Sequence, residues 1–339
     1  MRVLLAGGAG YIGAHTAVAL LDAGHDVVLL DDLSGTSAVA ADRVETITGR
    51  AAPLVIGDAA DDDVVERVFA EHGPIDAIIH LAAFKAVGES TQKPLEYYSN
   101  NLDTTFALLR AGVAHGIRSF VFSSTGTVYS DPADLPFTEE STTSIDLSNA
   151  YSKSKRMNEV VLADVARVNP DLNITVLRYF NPVGAHPSGL IGEDPAGIPN
   201  NLMPYVSRVA IGTLDRVGVF GDDYDTPDGT GLRDYIHVVD LAEGHVAALE
   251  KAQPGFAVFN LGTGVPVSVL ELIASFEKAV GHDLPKEILG RRPGDVAATY
   301  CDPGRARRDL DWSTRLTIDD ACADYWNWQT KNPQGYATA

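Results

Sequence analysis

Two side chains four residues apart give the first chemical signal. The segment Tyr151-Ser152-Lys153-Ser154-Lys155 holds a Tyr-x-x-x-Lys spacing. On a helix, residues i and i+4 lie one above the other on one face. An ammonium beside a phenol favours tyrosinate and lowers the phenol pKa from about 10. A phenol tuned in this way takes a proton from a substrate hydroxyl near neutral pH and so acts as a general base. The lysine has a second use, in holding a nucleotide ribose. The spacing alone arises by chance in about one chain of this composition in three, so its surroundings decide between a catalytic pair and a plain surface pair. Phe122-Ser123-Ser124-Thr125 is informative here: it ends an apolar run with hydroxyls, as a parallel strand facing a ligand would.

A second constellation sits at the start of the chain. Gly7-Gly8-Ala9-Gly10-Tyr11-Ile12-Gly13 follows the apolar run 2–6 and precedes an amphipathic stretch that reaches about Ala23. A further apolar run, 26–30, ends in Asp31-Asp32. Strand, glycine turn, helix, strand and acid form the order of a dinucleotide-binding βαβ unit. The first glycine turns the chain sharply, the second leaves no Cβ against a pyrophosphate, and the third lets the helix approach closely. Free N–H groups at the start of the helix, near Tyr11 and Ile12, then hold the pyrophosphate. A carboxylate at Asp31 accepts from an adenosine ribose and repels a 2′-phosphate, so NAD is expected rather than NADP.

These residues need a scaffold. Strands are predicted at 2–6, 26–30, 53–57, 75–80, 118–123 and 173–179, with helices between them, notably about 94–115 and 151–168. Continuous apolar strands separated by helices imply a parallel sheet covered on both faces. The expected class is α/β, a doubly wound, mostly parallel Rossmann sheet with its ligand at the carboxyl ends of the strands. After Asn181 the character changes. Residues 181–204 are rich in Gly, Pro, Asn and His and read as a long ordered loop. Strands near 217–220 and 257–261 and helices near 240–251, 267–280 and 317–331 come after it. The division expected is a cofactor domain over 1–180 and a smaller mixed α/β substrate domain over 181–339, with room for some of its strands to return to the main sheet.

Composition narrows the partners. The chain has 339 residues and a net charge of −20, which repels nucleic acid and anionic membranes. No apolar run approaches the length of a membrane span and residues 2–6 lack the flanks of a signal peptide, so a cytoplasmic protein is expected. Cys301 and Cys322 lie in no Cys/His cluster, and the acidic run 58–63 reads as a solvated loop and helix start, so no metal site is expected. His80, His186 and His237 are read as structural.

The glycine turn, the Ser-Ser-Thr strand end and Tyr151/Lys155 resemble the extended short-chain dehydrogenase/reductase superfamily. Longer strings are similar to the UDP-glucose 4-epimerase family. They include Lys85-Ala-Val-Gly-Glu-Ser90, Arg178-Tyr-Phe-Asn-Pro-Val-Gly-Ala-His-Pro-Ser-Gly189, Gly192-Glu-Asp-Pro195, Gly197-Ile-Pro-Asn-Asn-Leu-Met-Pro204, Asp228-Gly-Thr-Gly231 and Arg233-Asp-Tyr-Ile-His-Val238. The resemblance runs the length of the chain and implies a tightly held NAD, a UDP-sugar substrate and a homodimer packed through the long helices 94–115 and 151–168. It implies Tyr151 as the base at the sugar 4-hydroxyl and Lys155 as the residue that tunes it. Thr125 stands where the family usually has serine, Gly126 where it has alanine and Ser130 where it has glycine. By the same resemblance Gly7, Gly10, Tyr11, Ile12, Gly13, Asp31, Asp32, Asp58, Ala59, Lys85, Asn100, Lys155 and Tyr179 bind the cofactor. Asn181, Asn201, Leu202, Phe220, Arg233, Arg292 and Asp295 contact the UDP-sugar, with Phe220 on the uracil side or in plain core. The two arginines grip the diphosphate through charge and a fixed fork of donors. Thr299 replaces a bulky tyrosine found in some members, so some turnover of UDP-N-acetylhexosamines is expected.

A dehydratase of the same superfamily needs acid and base to expel water; Thr125-Gly126-Thr127 carries no carboxylate for that work. A dehydrogenase that exchanges its cofactor stays open on the sequence alone. A non-catalytic nucleotide sensor would have no need of the phenol, the lysine and the hydroxyl together.

Overall fold

The computed structural model describes residues 1–336 other than Ala196, Ala252 and Pro293. The last three residues of the expected second domain therefore lie outside the described residues. In chain order the elements are β1 (Arg2–Ala6), α1 (Tyr11–Asp22), β2 (Asp26–Asp31), α2 (Val39–Thr48), β3 (Leu54–Ile56), α3 (Asp62–His72), β4 (Ala77–His80), α4 (Val87–Ser90), α5 (Pro94–Ala114), β5 (Ser119–Thr125), α6 (Ala150–Val168) and β6 (Asn173–Tyr179). Next come β7 (Asn181–Val183), α7 (Leu202–Ala210), β8 (Val217–Phe220), β9 (Leu232–His237), α8 (Val238–Lys251), β10 (Gly255–Leu261), β11 (Pro266–Ser268), α9 (Val269–Val280), β12 (Lys286–Leu289), β13 (Ala298–Thr299), α10 (Gly304–Asp309) and α11 (Ile318–Lys331).

Seven strands form one sheet in the order β3-β2-β1-β4-β5-β6-β10. Every pairing in it is parallel. The strand order reverses between β1 and β4, and the ligand crevice of such a sheet opens at that point. Successive side chains along a strand face opposite sides, and each side here has its own core. Val3, Leu5, Val27, Leu29, Ile79, Val121 and Leu177 belong to one cluster, which continues into α1 and α8. Leu4, Ala6, Val28, Leu30, Ile78, Phe120 and Val176 belong to the other, with α3, α5 and α6. Burial on both faces is why these strands read as unbroken apolar runs.

One strand of the second half returns to the main sheet, as the sequence reading allowed: β10 borders β6 in register from Gly255↔Asn173 to Leu261↔Tyr179. Two departures from that reading also concern the second half. The stretch 181–204 is not all loop: it contains β7, and α7 begins at Leu202. β9 stands unforeseen at the centre of a smaller sheet, pairing with β7 and β13 in parallel and with β11 antiparallel. A two- or three-residue strand has too few positions to show an alternation.

Candidate active site

The glycine turn leaves β1 at Gly7, whose φ of +81° suits glycine and whose missing Cβ would lie 2.7 Å from the Ala82 nitrogen. A Cβ at Gly13 would collide with the Gly7 carbonyl, so the third glycine lets α1 settle on the turn itself. At Gly10 a Cβ would have only the Gly7 carbonyl and the Thr36 methyl nearby, at 3.3 and 3.7 Å. Gly10 caps α1 without a side-chain bond, and the first helical turn has no acid. The N–H groups of Tyr11, Ile12 and Gly13 thus begin a helix that suits an anion. Asp31 braces this cradle: its carboxylate accepts from the Ala9 and Leu33 nitrogens, both at 3.0 Å, and from the Thr36 hydroxyl at 2.7 Å. Asp32 accepts from the Ser34 nitrogen and hydroxyl. The Tyr11 phenol donates to the Gly184 carbonyl at 2.7 Å, tying α1 to the segment after β7.

On α6, Asn149 caps the helix by accepting from the Ser152 nitrogen at 2.8 Å. Tyr151 and Lys155 then occupy one face. The Thr125 side chain, ending β5, acts on the Tyr151 phenol and favours its ionised form. Its hydroxyl also sits 3.2 Å from that of Thr127, which is 2.7 Å from Ser152. Lys155 is 3 % exposed; its Nζ donates to the Ser123 carbonyl at 2.7 Å and lies 4.8 Å from the centre of the Phe122 ring. Burial lowers its pKa to about 7, and the Glu159 carboxylate pulls it back up. Burial raises the Tyr151 phenol, and the Thr125 side chain acts the other way. The expected lowering of the phenol by Lys155 is not seen: the ammonium is turned to the strand carbonyl. Tyr179 hydrogen-bonds Ser123, and burial raises its phenol too.

The remaining residues expected at the cofactor lie along the same sheet edge. Asp58 and Ala59 lie just beyond β3, and the Asp58 carboxylate accepts from the Ala60 nitrogen at 2.8 Å. Lys85 lies beyond β4, while Asn100 is on α5 and donates to Asn101 at 3.0 Å. Parallel pairing brings all the carboxyl ends to one edge, so residues spread over nearly 180 positions meet there.

The residues expected at the substrate cluster on the smaller sheets. Asn181 on β7 pairs with Tyr235, and Thr299 on β13 pairs with Arg233 of β9. Arg233 forms an ion pair with Asp295, and the Arg292 guanidinium lies 3.8 Å from the centre of the Phe220 ring. Phe220 is half-buried and outside the core clusters, so the plain-core alternative is not met. Asn201 caps α7 with no side-chain bond to it, and Leu202 opens the helix. Among the described residues no group of three or more His, Cys, Asp or Glu is placed to hold a metal ion. His80 donates or accepts at Thr105, 2.9 Å away, and burial keeps it neutral.

Two features escaped the sequence reading. Glu193, 7 % exposed, accepts from the Asn201 amide at 3.1 Å and lies 3.6 Å from the Lys85 ammonium. It joins a residue expected at the cofactor to one expected at the sugar. Its signal was present in the Gly192–Pro195 string, which carried no role. The other is the buried pair Glu159–Arg178. Glu159 stands four positions after Lys155, a spacing that continues the Tyr151–Lys155 face.

A model of the NAD dependent epimerase/dehydratase family matches residues 3–262. UDP-glucose 4-epimerase of Bacillus subtilis is 50% identical, over 100% of both chains. That of Caenorhabditis elegans is 49% identical over 99% of this chain and 100% of its own. The crystal structure of UDP-glucose 4-epimerase from Bifidobacterium longum in complex with NAD+ and UDP is similar at a TM-score of 0.94 and 54% identity, covering 99% of this chain and 100% of that one. With the glycine cradle, the phenol and the lysine at one sheet edge, this chain belongs to the NAD dependent epimerase/dehydratase family, in its UDP-glucose 4-epimerase branch.

Proposed function

We propose that this protein interconverts UDP-glucose and UDP-galactose by transient oxidation of the sugar at C4, with NAD kept in the site. One observation carries the reading. A phenol on α6, its pKa drawn down by the hydroxyl ending β5, stands one helical turn from a buried lysine, at the edge where the glycine turn opens. The residues fit the cofactor: Gly7 and Gly13 permit the tight turn and the close approach of α1, Gly10 leaves free the space a Cβ would take, and the acid-free start of α1 suits a pyrophosphate. Held there, NAD would supply a reversible hydride acceptor for the sugar C4.

The chain's own side chains do the rest. The Tyr151 phenolate takes the C4 hydroxyl proton and later gives it back. Thr125 keeps that phenol and the sugar oxygen in line. Lys155 supplies positive charge beneath them. Asp31 and Asp32 serve the adenosine ribose, Asp58 and Ala59 the adenine edge, and Lys85, Asn100 and Tyr179 the nicotinamide half. Arg233 and Arg292 grip the diphosphate, Asp295 the uridine ribose and Phe220 the uracil side. Asn181, Asn201 and Leu202 line the sugar. The two arginines also offset, locally, the net charge of −20 that would repel an anionic substrate.

Residues 1–180 act as the cofactor domain and 181–339 as the sugar-nucleotide domain. The protein works as a homodimer through α5 and α6, whose outer faces expose Leu95, Val113, Val160 and Val168. The unpaired cysteines Cys301 and Cys322 suit the cytoplasm. Thr299, half-buried beside Arg233, leaves room for a 2-acetamido group, so UDP-GlcNAc and UDP-GalNAc are also interconverted; absence of that conversion by pure enzyme removes this part. The main test uses purified protein, UDP-galactose and no added NAD. Formation of UDP-glucose supports the reading. No product even with NAD added overturns it.

A further inference from the structure

Glu159 is 1 % exposed and Arg178 is 4 % exposed. Two bonds join them, Arg178 Nε to Oε1 at 3.0 Å and Nη2 to Oε2 at 2.7 Å. The Ser124 hydroxyl donates to Oε1 at 2.6 Å, and Arg156 approaches Oε2 at 3.3 Å. Arg178 also donates to the Tyr129 phenol at 3.2 Å, which in turn donates to Asn260 of β10 at 2.6 Å. One buried ion pair therefore ties α6 to β5, β6 and β10 directly beneath the strand end that bears Thr125. A buried pair of this kind is often no more stabilising than apolar residues of the same size, so stability alone is a poor reason for it.

Its place on α6 supplies another. Tyr151, Lys155 and Glu159 succeed one another at intervals of four, one helical turn each. The groups facing Lys155 are few. From β5 come the Ser123 carbonyl and the Phe122 ring, from β4 the neutral His80, and from α6 itself Tyr151 and Glu159, whose carboxylate is held by Arg178 of β6. Among the facing groups only Glu159 carries permanent charge, and Arg178 acts on Lys155 through it.

We propose that Glu159 and Arg178 are a positioning pair for the reaction, holding the Ser123–Thr125 strand end against α6 and, through their balanced charges, setting the charge state of Lys155. This rests on the epimerase reading. Removing the carboxylate takes away the negative charge that favours the Lys155 ammonium, so Lys155 gives up its proton more readily. Removing the guanidinium leaves only Arg156 to offset Glu159, so Lys155 holds its proton longer. The two losses act in opposite directions on the alkaline limb of the kcat profile, where Lys155 loses its charge. A part that only props the fold would move both the same way or neither.

The test is kcat and KM for UDP-galactose from weakly acidic to alkaline pH with the NAD-loaded enzyme. Wild-type turnover checks the epimerase reading itself, independently of the ion pair. Glu159→Gln is expected to move the limb down by about one pH unit and Arg178→Met to move it up by a similar amount, with KM changed less than kcat. If Arg178→Met does not fold, the double variant Glu159→Gln/Arg178→Met, which removes both charges of the buried pair, replaces it. The limb is then expected back near its wild-type position. Limbs that shift the same way, that do not shift, or that stay displaced in the double variant overturn the proposal.

Discussion

The two halves of the site are built on different principles. At the cofactor edge most of the structure is backbone: a glycine turn, a helix start and strand ends, with Asp31 and Lys155 buried and bonded inward. At the substrate edge it is long side chains on short strands. Arg233 there is paired with Asp295 and Arg292 lies on Phe220. The first half is fixed before any ligand arrives. The second keeps Arg233 compensated by Asp295 and Arg292 on an aromatic face, and on the proposed reading an anionic diphosphate would take the arginines over from these partners. A fixed cofactor and an exchangeable substrate ask for this contrast.

The contrast can be broken most sharply at the phenol. Tyr151→Phe keeps the ring and removes the proton acceptor, so kcat is expected to fall by about a thousandfold, within the range of general-base contributions. Bound nicotinamide, read by absorbance of the purified protein, should be unchanged. Turnover close to wild type would mean that the base lies elsewhere. Next comes Gly13→Ala. Its new Cβ runs into the Gly7 carbonyl, which is backbone and cannot swing aside. NAD retained per chain is expected to drop at least tenfold and Tm to fall, since overpacking costs about 1–3 kcal/mol. Full retention would show that the turn is less rigid than its geometry says.

The same contrast explains what could be read from the sequence. β1, β2, β5 and β6 are buried on both faces, so their apolar runs were plain, and the glycine turn between β1 and α1 has a spacing imposed by a ligand's shape. Tyr151 and Lys155 were legible because helical geometry alone puts them together. The second half was harder. β9 carries Arg233, Asp234 and His237 among its six residues and meets other short strands, and polar strands lack a hydrophobic signature. β13 has two residues. Glu159 and Arg178 meet by tertiary folding, 19 positions apart, and no local pattern announces a buried ion pair. Even where the residues were found, the partners were not all foreseen: Lys155 bonds a strand carbonyl, and Thr125 is the side chain that draws the phenol pKa down.

The substrate half can be sharpened at Arg292. Arg292→Ala removes one guanidinium and its stacking on Phe220 while leaving the cofactor edge alone. KM for UDP-galactose is expected to rise by about tenfold or more, in line with a lost charge-assisted pair, with NAD retention and kcat near wild type. A fall in NAD retention would mean that the two halves are coupled and that the substrate arginines help to hold the cofactor.

The smallest effect falls at the joint between them. Gly126 comes directly after Thr125 in the first half, and Phe180 lies between β6 and β7 where the second half begins. A Cβ on Gly126 would sit 2.8–3.0 Å from three atoms of the Phe180 ring. The glycine needs no unusual backbone angle, so the cost is one of space alone. Phe180 packs on Tyr129, Phe137 and Cys301 and cannot withdraw freely. Gly126→Ala is therefore expected to cost about 1–2 kcal/mol and a few-fold in kcat, as the ring shifts next to Asn181. Trimming the ring should give the space back. In a double-mutant cycle, Gly126→Ala with Phe180→Leu should lose less stability than the two single changes summed. Strict additivity would show that the ring and the glycine do not press on each other, and the joint would then transmit nothing from one half to the other.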